Sequence, residues 1–493
     1  MIKRVLIANR GEIAVRVIRG CRELGIETVA VYSEADASAS HVLAAHDAVA
    51  IGSSAASASY LNAAAILDAA ATTGADAIHP GYGFLSENAN FARACEARGL
   101  VFIGPSSTVI ERMGSKTAAR EAVAKAGVPV VPGDTPKSQK QADVLASLTR
   151  VGYPALLKAS AGGGGKGMRI VTAESEAADA IAAARSEAER SFADGTMYVE
   201  RLIERPRHIE VQIMADGHGS TVHLFERDCT LQRRHQKVIE EAPGPTVTPA
   251  MRERMTRAAV AAAQAVGYVN AGTIEFLLSG DEFYFLEMNT RLQVEHPITE
   301  CVTGVDLVRA QLLVASGERL PFSQSDLTIR GAAVECRVYA EDPSANFLPQ
   351  AGPLLRYREP QGPGVRVDAG VAEGQQITVH YDPMIAKVIT SGETREAAWA
   401  RASLALRNFE ILGLRHNIAF LLALLHHPDV LACRTHTRFI EERLTELTAA
   451  PPDVHTHAQV ALAALLGIST TTAATHHGSN AIDPWTTLGK VDW

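Results

Sequence analysis

Two glutamates, Glu275 and Glu287, lie in apolar runs on either side of a turn in GTIEFLLSGDEFYFLEMN. If the hairpin loop comprises residues 280–282, Ser279 pairs with Phe283 and Glu275 lies opposite Glu287. Opposed carboxylates destabilise a hairpin, and a divalent cation between them would remove the repulsion. Hard oxygen ligands of this kind suit Mg²⁺. Two solvated surface acids remain the alternative, because a shift of one residue would place the acids on opposite faces.

The chain continues as NTRLQVEHPITE, in which polar residues alternate with others. In an extended conformation Asn289, Arg291, Gln293 and Glu295 all point to one side. A guanidinium fits a planar anion such as bicarbonate through two parallel hydrogen bonds, and Glu295 could accept its proton. The stretch therefore predicts an anion site beside the metal pair. A purely structural network of salt bridges is the alternative.

The stretch KASAGGGGKGM (158–168) contains four consecutive glycines, which lose much backbone entropy on folding and pack nothing. A Walker A loop needs Ser or Thr after its Lys, but Gly167 follows Lys166. Gly162, Gly164 and Gly167 match GxGxxG, but the strand-like MRIV that follows lacks the required helix. The pattern predicts a glycine-rich hairpin loop that could fold over phosphates. The buried-strand position of Lys158 favours this interpretation over a flexible surface loop.

Two further stretches carry polar groups but are weaker signals alone. RDCTLQRRHQKVIEEAPGP (227–245) places Gln232, His235 and Lys237 close together, although such a charge run is usually a solvated face. HPGYGFLSEN (79–88) is a strand-end loop whose glycines allow close approach of a ligand, although such a loop is more often a turn.

The elements that must position these residues alternate along the first 110 residues. Apolar runs of strand length alternate with helical periodicities, which predicts a parallel α/β unit with crossover helices. Residues 115–205 predict a smaller α/β piece, residues 206–330 predict hairpins, and more strands follow residue 331 with two helices near 395–446. Residues 469–480 (STTTAATHHGSN) are low in complexity and predict a linker.

Composition excludes several classes of protein. The 493 residues predict about three domains. A net charge of −8 speaks against a nucleic-acid partner. Six scattered cysteines without a CxxC pair suit a reducing compartment and give no zinc framework. No stretch approaches about 18 apolar residues, so we predict no membrane span and a soluble, cytoplasmic protein.

Taken together, these stretches resemble the biotin carboxylases, the ATP-grasp components of biotin-dependent carboxylases. The resemblance runs from residue 1 to about 446 through IANRGEIAVRVIR, HPGYGFLSEN, AGGGGKGMRIV, ERDCTLQRRHQKVIEEAP, FYFLEMNTRLQVEHPITE, VECRVYAEDP and YDPMIAKVI. It implies an α/β multidomain (α+β) fold. The implied parts are a Rossmann-like domain (1–114), an ATP-grasp lid (115–205), an ATP-grasp catalytic domain (206–330), a C-terminal domain (331–446) and a linker or tail (447–493).

The resemblance also implies a role for individual residues. Glu295 would be the base for bicarbonate, and Arg337 would stabilise the enolate of biotin with Tyr82 nearby. The implied catalytic residues are Lys237, Arg291, Glu295 and Arg337. The implied bicarbonate and biotin ligands are Tyr82, Lys237, Arg291, Gln293, Val294 and Arg337. The implied metal ligands are Glu275, Glu287 and Asn289. The implied ATP ligands are Lys116, Lys158, Gly163, Gly164, Gly165, Glu200, Arg201, Leu202, Ile203, His208, Gln232, His235, Glu275, Leu277 and Glu287.

The cofactors implied by the resemblance are ATP, Mg²⁺ or Mn²⁺, and biotin on a carrier rather than on this chain, which has no Met-Lys-Met acceptor. The implied partners are bicarbonate, a biotin carboxyl carrier domain or protein, a carboxyltransferase β subunit and a second copy of the chain. Ala161, Lys166 and the terminal DPW suggest the carboxylase module of an α subunit of the 3-methylcrotonyl or propionyl type, truncated after its linker.

Three other functions are weighed against this one. Another ATP-grasp ligase, such as carbamoyl-phosphate synthetase, also makes carboxyphosphate but lacks HPGYGFLSEN and VECRVYAED together. A non-catalytic ATP-grasp module would not need every acid, base and metal position to be filled. A dinucleotide-dependent oxidoreductase is excluded by the hairpin context of the glycine run.

Overall fold

A computed structural model describes residues 2–160, 167–192 and 194–448 of the chain. The N-terminal region is a five-stranded sheet in the order β3-β2-β1-β4-β5, with all strands parallel, and it confirms the predicted α/β unit. Parallel strands are buried on both faces and therefore read as continuous apolar runs. The strands are β1 (Arg4–Ile7), β2 (Glu27–Ser33), β3 (Asp47–Gly52), β4 (Ala77–His79) and β5 (Val101–Phe102). The helices are α1 (Gly11–Glu23), α2 (Ser40–Ala44), α3 (Ala63–Thr73), α4 (Ala89–Ala97) and α5 (Ser107–Gly114).

The glycine run belongs to a small antiparallel sheet in the order β6-β9-β7-β8. Its elements, after α6 (Lys116–Lys125), are β6 (Gly133–Asp134), α7 (Gln141–Val151), β7 (Ala155–Ala159), β8 (Met168–Val171), α8 (Ala177–Phe192) and β9 (Met197–Arg201). β7 and β8 pair from Ala155 opposite Val171 to Lys158 opposite Met168. The predicted hairpin setting is confirmed for the two strands, whereas residues 161–166, including Gly163, Gly164 and Gly165, lie outside the described residues.

The central region supplies five strands of a long sheet and three helices packed on it. These are β10 (Arg207–Ala215), β11 (Thr221–Arg233), β12 (Gln236–Ala242), α9 (Pro249–Ala265), β13 (Asn270–Ser279), β14 (Glu282–Asn289), α10 (His296–Thr303) and α11 (Leu307–Ala315). Ile209, Val211 and Ile213 alternate along β10 and pack into a core with Met255 and Phe276. The intervening residues of β10 face the other side of the sheet.

The C-terminal region continues the same sheet, which has eight strands in the order β14-β13-β10-β11-β12-β15-β22-β20. The predicted boundary at residue 330 therefore falls between strands of one sheet. The C-terminal strands are β15 (Ala332–Tyr339), β16 (Glu341–Asp342), β17 (Leu348–Pro349), β18 (Gly352–Pro353), β19 (Arg356–Arg358), β20 (Val365–Ala369), β21 (Gln376–Ile377), β22 (Met384–Gly392) and β23 (Glu410–Leu412).

Within the part of the chain that the structure describes, five helices follow β22 where the periodicity predicted two. They are α12 (Arg395–Arg407), α13 (Ile418–His426), α14 (Pro428–Leu431), α15 (Phe439–Glu442) and α16 (Leu444–Thr448). Pro428 is the first residue of α14, where a missing N–H leaves no helix hydrogen bond unmade. The apolar stretch around it is therefore divided into α13 and α14. The predicted linker or tail (447–493) begins inside α16, and its residues 449–493 lie outside the described residues. All six cysteines are free thiols, and no described helix is long and apolar enough to cross a bilayer.

Candidate active site

The β13–β14 hairpin places Glu275 directly opposite Glu287 and Thr273 opposite Asn289, as the sequence predicted. The predicted turn was wrong: Ser279 pairs with Glu282, so the loop has two residues rather than three. A β-bulge next to Glu275 inserts one extra residue into β14 and compensates for the shorter turn. The two acids therefore meet through a different backbone path from the one expected.

The two acids of this pair have different surroundings. Both oxygens of Glu275 are engaged, by Lys237 Nζ at 2.8 Å and by His208 Nε2 at 3.1 Å. Burial opposes ionisation of Glu275, but Lys237 and His208 outweigh it and hold its pKa well below its usual range. For Glu287, burial and then the charge of Glu275 raise the pKa. One more cation between these acids would relieve that repulsion.

The donor set of Glu275, Glu287 and Asn289 fits a divalent cation. Two carboxylates and an amide oxygen are hard ligands of the kind that Mg²⁺ uses together with phosphate oxygens. A second group, His208, Glu210 and Glu275, brings ligand atoms within 4.8 Å of one another. Lys237 already donates to both of those acids, so an ammonium neutralises that group. The opposed pair on the hairpin is the better site for a metal ion.

Lys237 on β12 connects four side chains from three parts of the fold. Its Nζ lies 2.5 Å from Glu210, 2.6 Å from Glu295, 2.8 Å from Glu275 and 3.2 Å from the Gln293 side-chain oxygen. Burial disfavours its charge, but the three carboxylates raise its pKa well above the ordinary value. Lys237 is therefore a fixed ammonium in the middle of the acids.

Glu295 lies between two cations. Its carboxylate is 2.6 Å from Lys237 Nζ and 2.9 Å from Arg337 Nη2, and the residue is fully buried. Burial alone would raise its pKa, but Lys237, Arg337 and Arg227 lower it well below its usual range. Glu295 is thus ionised and can accept a proton, and its basicity increases when another anion shares these cations.

The segment that carries Glu295 is not the extended strand that the alternation predicted. β14 ends at Asn289, and Glu295 is the N-cap residue of α10 with φ −83° and ψ 11°. Asn289, Arg291, Gln293 and Glu295 nevertheless line one cavity of about 460 Å³ with Lys237. Arg291 is held by Glu87 at 2.9 Å and donates to Asn289 at 2.9 Å. The irregular turn brings together what the strand was expected to align.

Arg337 and Tyr82 meet in an adjoining cavity of about 420 Å³, which Arg291 and Val294 also line. Tyr82 lies in the HPGYGFLSEN loop, where Gly81 has φ +62° and a Cβ there would be 2.9 Å from Asn9 Nδ2. The same Asn9 amide donates to the carbonyl of Tyr82 at 2.7 Å. The first glycine of the loop is thus required for a close approach that fixes Tyr82.

A third cavity, of about 620 Å³, is lined by residues 202–206, which connect β9 of the small sheet to β10. Lys158 is buried there and pairs with Glu200 at 2.9 Å, which supplies the anion that a buried lysine requires. The same 620 Å³ cavity is lined by eight more of the residues predicted to bind the nucleotide: Glu200, Arg201, Leu202, Ile203, His208, Gln232, His235 and Leu277. Lys116 lines the 460 Å³ cavity beside it, together with Lys158, His208, Gln232, His235, Glu275 and Glu287.

Sequence reasoning missed three residues of this region: Glu210, Arg227 and Glu240. All three are fully buried. Arg227 bonds to Glu210 at 2.5 Å, and Arg337 bonds to Glu240 at 2.6 Å. A signal was available for Glu210, because polar residues alternate with apolar ones in HIEVQI and thus mark a polar face of a buried strand.

Glu240 has an environment that makes stability depend on pH. Its Oε1 accepts the bond from Arg337, while Oε2 is buried and has no hydrogen-bond partner in the described part of the chain. Burial raises its pKa from 4.5 to about 7 against the opposing effect of Arg337. A raised carboxyl pKa contributes stability that is present below pH 4.5 and is lost as pH rises through about 7.

We therefore expect Glu240→Gln, which cannot ionise, to gain stability relative to wild type as pH rises from about 5 to about 8. Melting temperatures of both proteins at several pH values measure this difference. The matched control is Glu253→Gln, an acid whose side chain is 72% exposed, for which the difference should stay flat. A flat difference for Glu240→Gln as well would contradict the raised pKa.

Comparisons with known proteins place three family models along the chain. They are "Biotin carboxylase, N-terminal domain" over residues 1–110, "Carbamoyl-phosphate synthase L chain, ATP binding domain" over 115–323 and "Biotin carboxylase C-terminal domain" over 335–442. A biotin carboxylase of Halalkalibacterium halodurans is 52% identical over 92% of this chain and 100% of that protein. The mitochondrial methylcrotonoyl-CoA carboxylase subunit alpha of Mus musculus is 49% identical over 90% of this chain and 62% of its own length.

Two solved structures that are similar to this chain are biotin carboxylases as well. The biotin carboxylase domain dimer of 2-oxoglutarate carboxylase from Hydrogenobacter thermophilus, in complex with MgADP, ADP and bicarbonate, matches with a TM-score of 0.89 and 46% identity. That match covers 92% of this chain and 100% of that one. A biotin carboxylase–β,γ-ATP complex from Campylobacter jejuni matches with a TM-score of 0.87 and 43% identity. That match covers 90% of this chain and 99% of the other chain.

Proposed function

Since the chain belongs to the biotin carboxylase family, we propose that it uses MgATP and bicarbonate to carboxylate biotin on a carrier, as the first half-reaction of an acyl-CoA carboxylase. One observation supports the proposal above all. Lys237, Arg291, Glu295 and Arg337 line a single cavity, which also contains the opposed acids of the hairpin. That arrangement combines an anion site, a base and a metal-ligand set within reach of one another.

We assign the nucleotide to the 620 Å³ cavity and the adjoining acids. Lys116 and Lys158 would hold its phosphates, and Gly163–Gly165 would close over them. Glu200–Ile203 and Leu277 would contact the base, while His208, Gln232 and His235 would line the nucleotide. Glu275, Glu287 and Asn289 would hold Mg²⁺, or Mn²⁺ in its place. The ion, when bound, neutralises phosphate charge.

Bicarbonate is assigned to the ammonium of Lys237, the guanidinium of Arg291 and the segment from Gln293 to Val294. Glu295 takes the proton from bicarbonate, and a bicarbonate oxygen then attacks the γ-phosphorus as ADP leaves. The anion shares the cations that depress the pKa of Glu295, so the carboxylate becomes a stronger base as its substrate arrives. Catalysis here is positioning and charge neutralisation, as expected for phosphoryl transfer.

Biotin is assigned to the cavity of Tyr82 and Arg337. Carboxyphosphate breaks down to CO₂ and phosphate, and the phosphate removes the ureido N–H proton. The ureido nitrogen then forms the new C–N bond to CO₂ while Arg337 stabilises the enolate oxygen. Two N–H groups of a fixed guanidinium give this stabilisation a defined geometry.

The partners follow from the same reaction. Relatives are subunits of biotin-dependent carboxylases, and we propose a biotin carboxyl carrier domain or protein, a carboxyltransferase β subunit and a second copy of this chain as partners. A cytoplasmic location and the 3-methylcrotonyl or propionyl α-subunit type stay predictions. No nucleic-acid or membrane partner is expected.

The test is release of ADP by the chain with MgATP, bicarbonate and free biotin. We expect turnover that requires bicarbonate and rises when biotin is added, with carboxybiotin as product. ATP hydrolysis indifferent to both bicarbonate and biotin would overturn the assignment. Ammonium in place of biotin tests the rival ligase, since formation of carbamoyl phosphate would favour that function instead.

A further inference from the structure

Lys387 on β22 is a fully buried lysine outside the ligand sets described above. It lies directly opposite Arg337 of β15 on one side and Asp368 of β20 on the other. Two cations directly opposite each other repel. A lysine at this position therefore costs stability that its other contacts must offset. An apolar residue would be the ordinary occupant of such a central strand.

The ammonium of Lys387 is directed at one backbone atom of the site. Its Nζ donates to the carbonyl oxygen of Val294 at 2.7 Å. Val294 precedes Glu295 in the irregular turn between β14 and α10, where strand pairing does not fix the backbone. This bond therefore holds the peptide from which the Glu295 carboxylate reaches Lys237 and Arg337.

Acids from two other elements hold the ammonium in place. Nζ lies 3.3 Å from Glu12 Oε1 on α1 and 3.8 Å from Asp368 Oδ2 on β20. Burial disfavours its charge, but Glu12, then Glu335 and Asp368, raise its pKa above the ordinary value. Lys387 also lies 6.0 Å from the ring centroid of Tyr82. Its cation thus lies next to the turn that carries the base and near Tyr82 of the assigned biotin cavity.

We propose that Lys387 is a positioning residue, which fixes the Val294 carbonyl and thereby aims the Glu295 carboxylate at bicarbonate. The proposal rests on the proposed function. A base displaced by about 1 Å can cost roughly 10²-fold in rate. Nucleotide binding should change little, because no residue of β22 lines the 620 Å³ cavity. The alternative is that Lys387 only balances the charges of Glu12 and Asp368.

Three variants separate the two: Lys387→Met, Glu12→Gln and the double variant. We expect Lys387→Met to lower kcat about 10²-fold while KM for MgATP stays within about threefold. It also loses stability, because Glu12 loses the ammonium beside it, whereas Asp368 keeps its pair with Arg366 at 2.8 Å. The double variant removes one of those acids, so its melting temperature should recover toward wild type. Its kcat should nevertheless stay well below that of Glu12→Gln alone.

Equal kcat values for the double variant and Glu12→Gln would overturn the proposal and leave charge balance as the role of Lys387. The double variant serves even if Lys387→Met fails to fold. Arg395→Met is the matched control. It breaks a partly buried ion pair, in which Arg395 Nε lies 2.6 Å from Glu241, and this pair lies outside the site. It should lose stability without the change in kcat. Wild-type protein without biotin-dependent turnover would instead overturn the proposed function itself.

Discussion

Replacing Arg337 with alanine is expected to lower ATP-dependent carboxylation of biotin by at least about 10²–10³-fold while the Kd for MgATP stays within about threefold. The guanidinium is buried and spans Glu240 and Glu295 at 2.6 and 2.9 Å. It also borders the cavity of Tyr82. Its removal takes away the group assigned to the enolate oxygen, whereas the 620 Å³ nucleotide cavity does not include it among its lining residues.

Carboxybiotin formation and nucleotide titration measure the two properties separately. Arg337→Lys is the matched variant, because it keeps the charge but loses the planar fork. We expect it to recover only part of the rate. A parallel loss of ATP affinity in Arg337→Ala would refute the assigned role, as would carboxylation at the wild-type rate.

The second large effect concerns stability. Arg227 is fully buried and donates to Glu210 at 2.5 Å, Gln212 at 2.7 Å and Thr299 at 2.9 Å. Arg227→Met removes the donor to Glu210 Oε1, Gln212 and Thr299, although Glu210 Oε2 keeps its bond from Lys237. Breaking one partner out of a buried pair typically costs about 3–5 kcal/mol. We therefore expect the unfolding free energy to fall by about this amount.

Urea denaturation at neutral pH measures that loss against Arg257→Met. Arg257 pairs with Glu253 at 2.5 Å, but both side chains are more than 70% exposed, and such pairs contribute about 0–1 kcal/mol. Burial is thus the variable that differs between the two arginines. Similar destabilisation by both substitutions would show that the Arg227 contacts contribute little to the fold.

Local sequence patterns determined much of this protein. The hairpin context of the glycine run follows from the two short strands around it. Alternation predicted that Glu275 faces Glu287 only with a turn one residue too long, and the bulge in β14 restores that pairing. The parallel N-terminal unit follows from apolar runs separated by helical periodicity. These features depend on neighbours within about ten residues, and side-chain period is a local property of the backbone. The family motifs supplied the assignments of individual residues to ligands.

The tertiary structure alone decided which distant charges meet. Alternation places Lys237 on a face but does not say that Glu210, Glu275 and Glu295 converge on it from separate segments. It gave no sign of the bond from Lys387 to Val294, which spans 93 positions. Such contacts depend on strand order and register, which are set by packing of the whole sheet and by features such as the bulge beside Glu275. Local periodicity contains no information about that order.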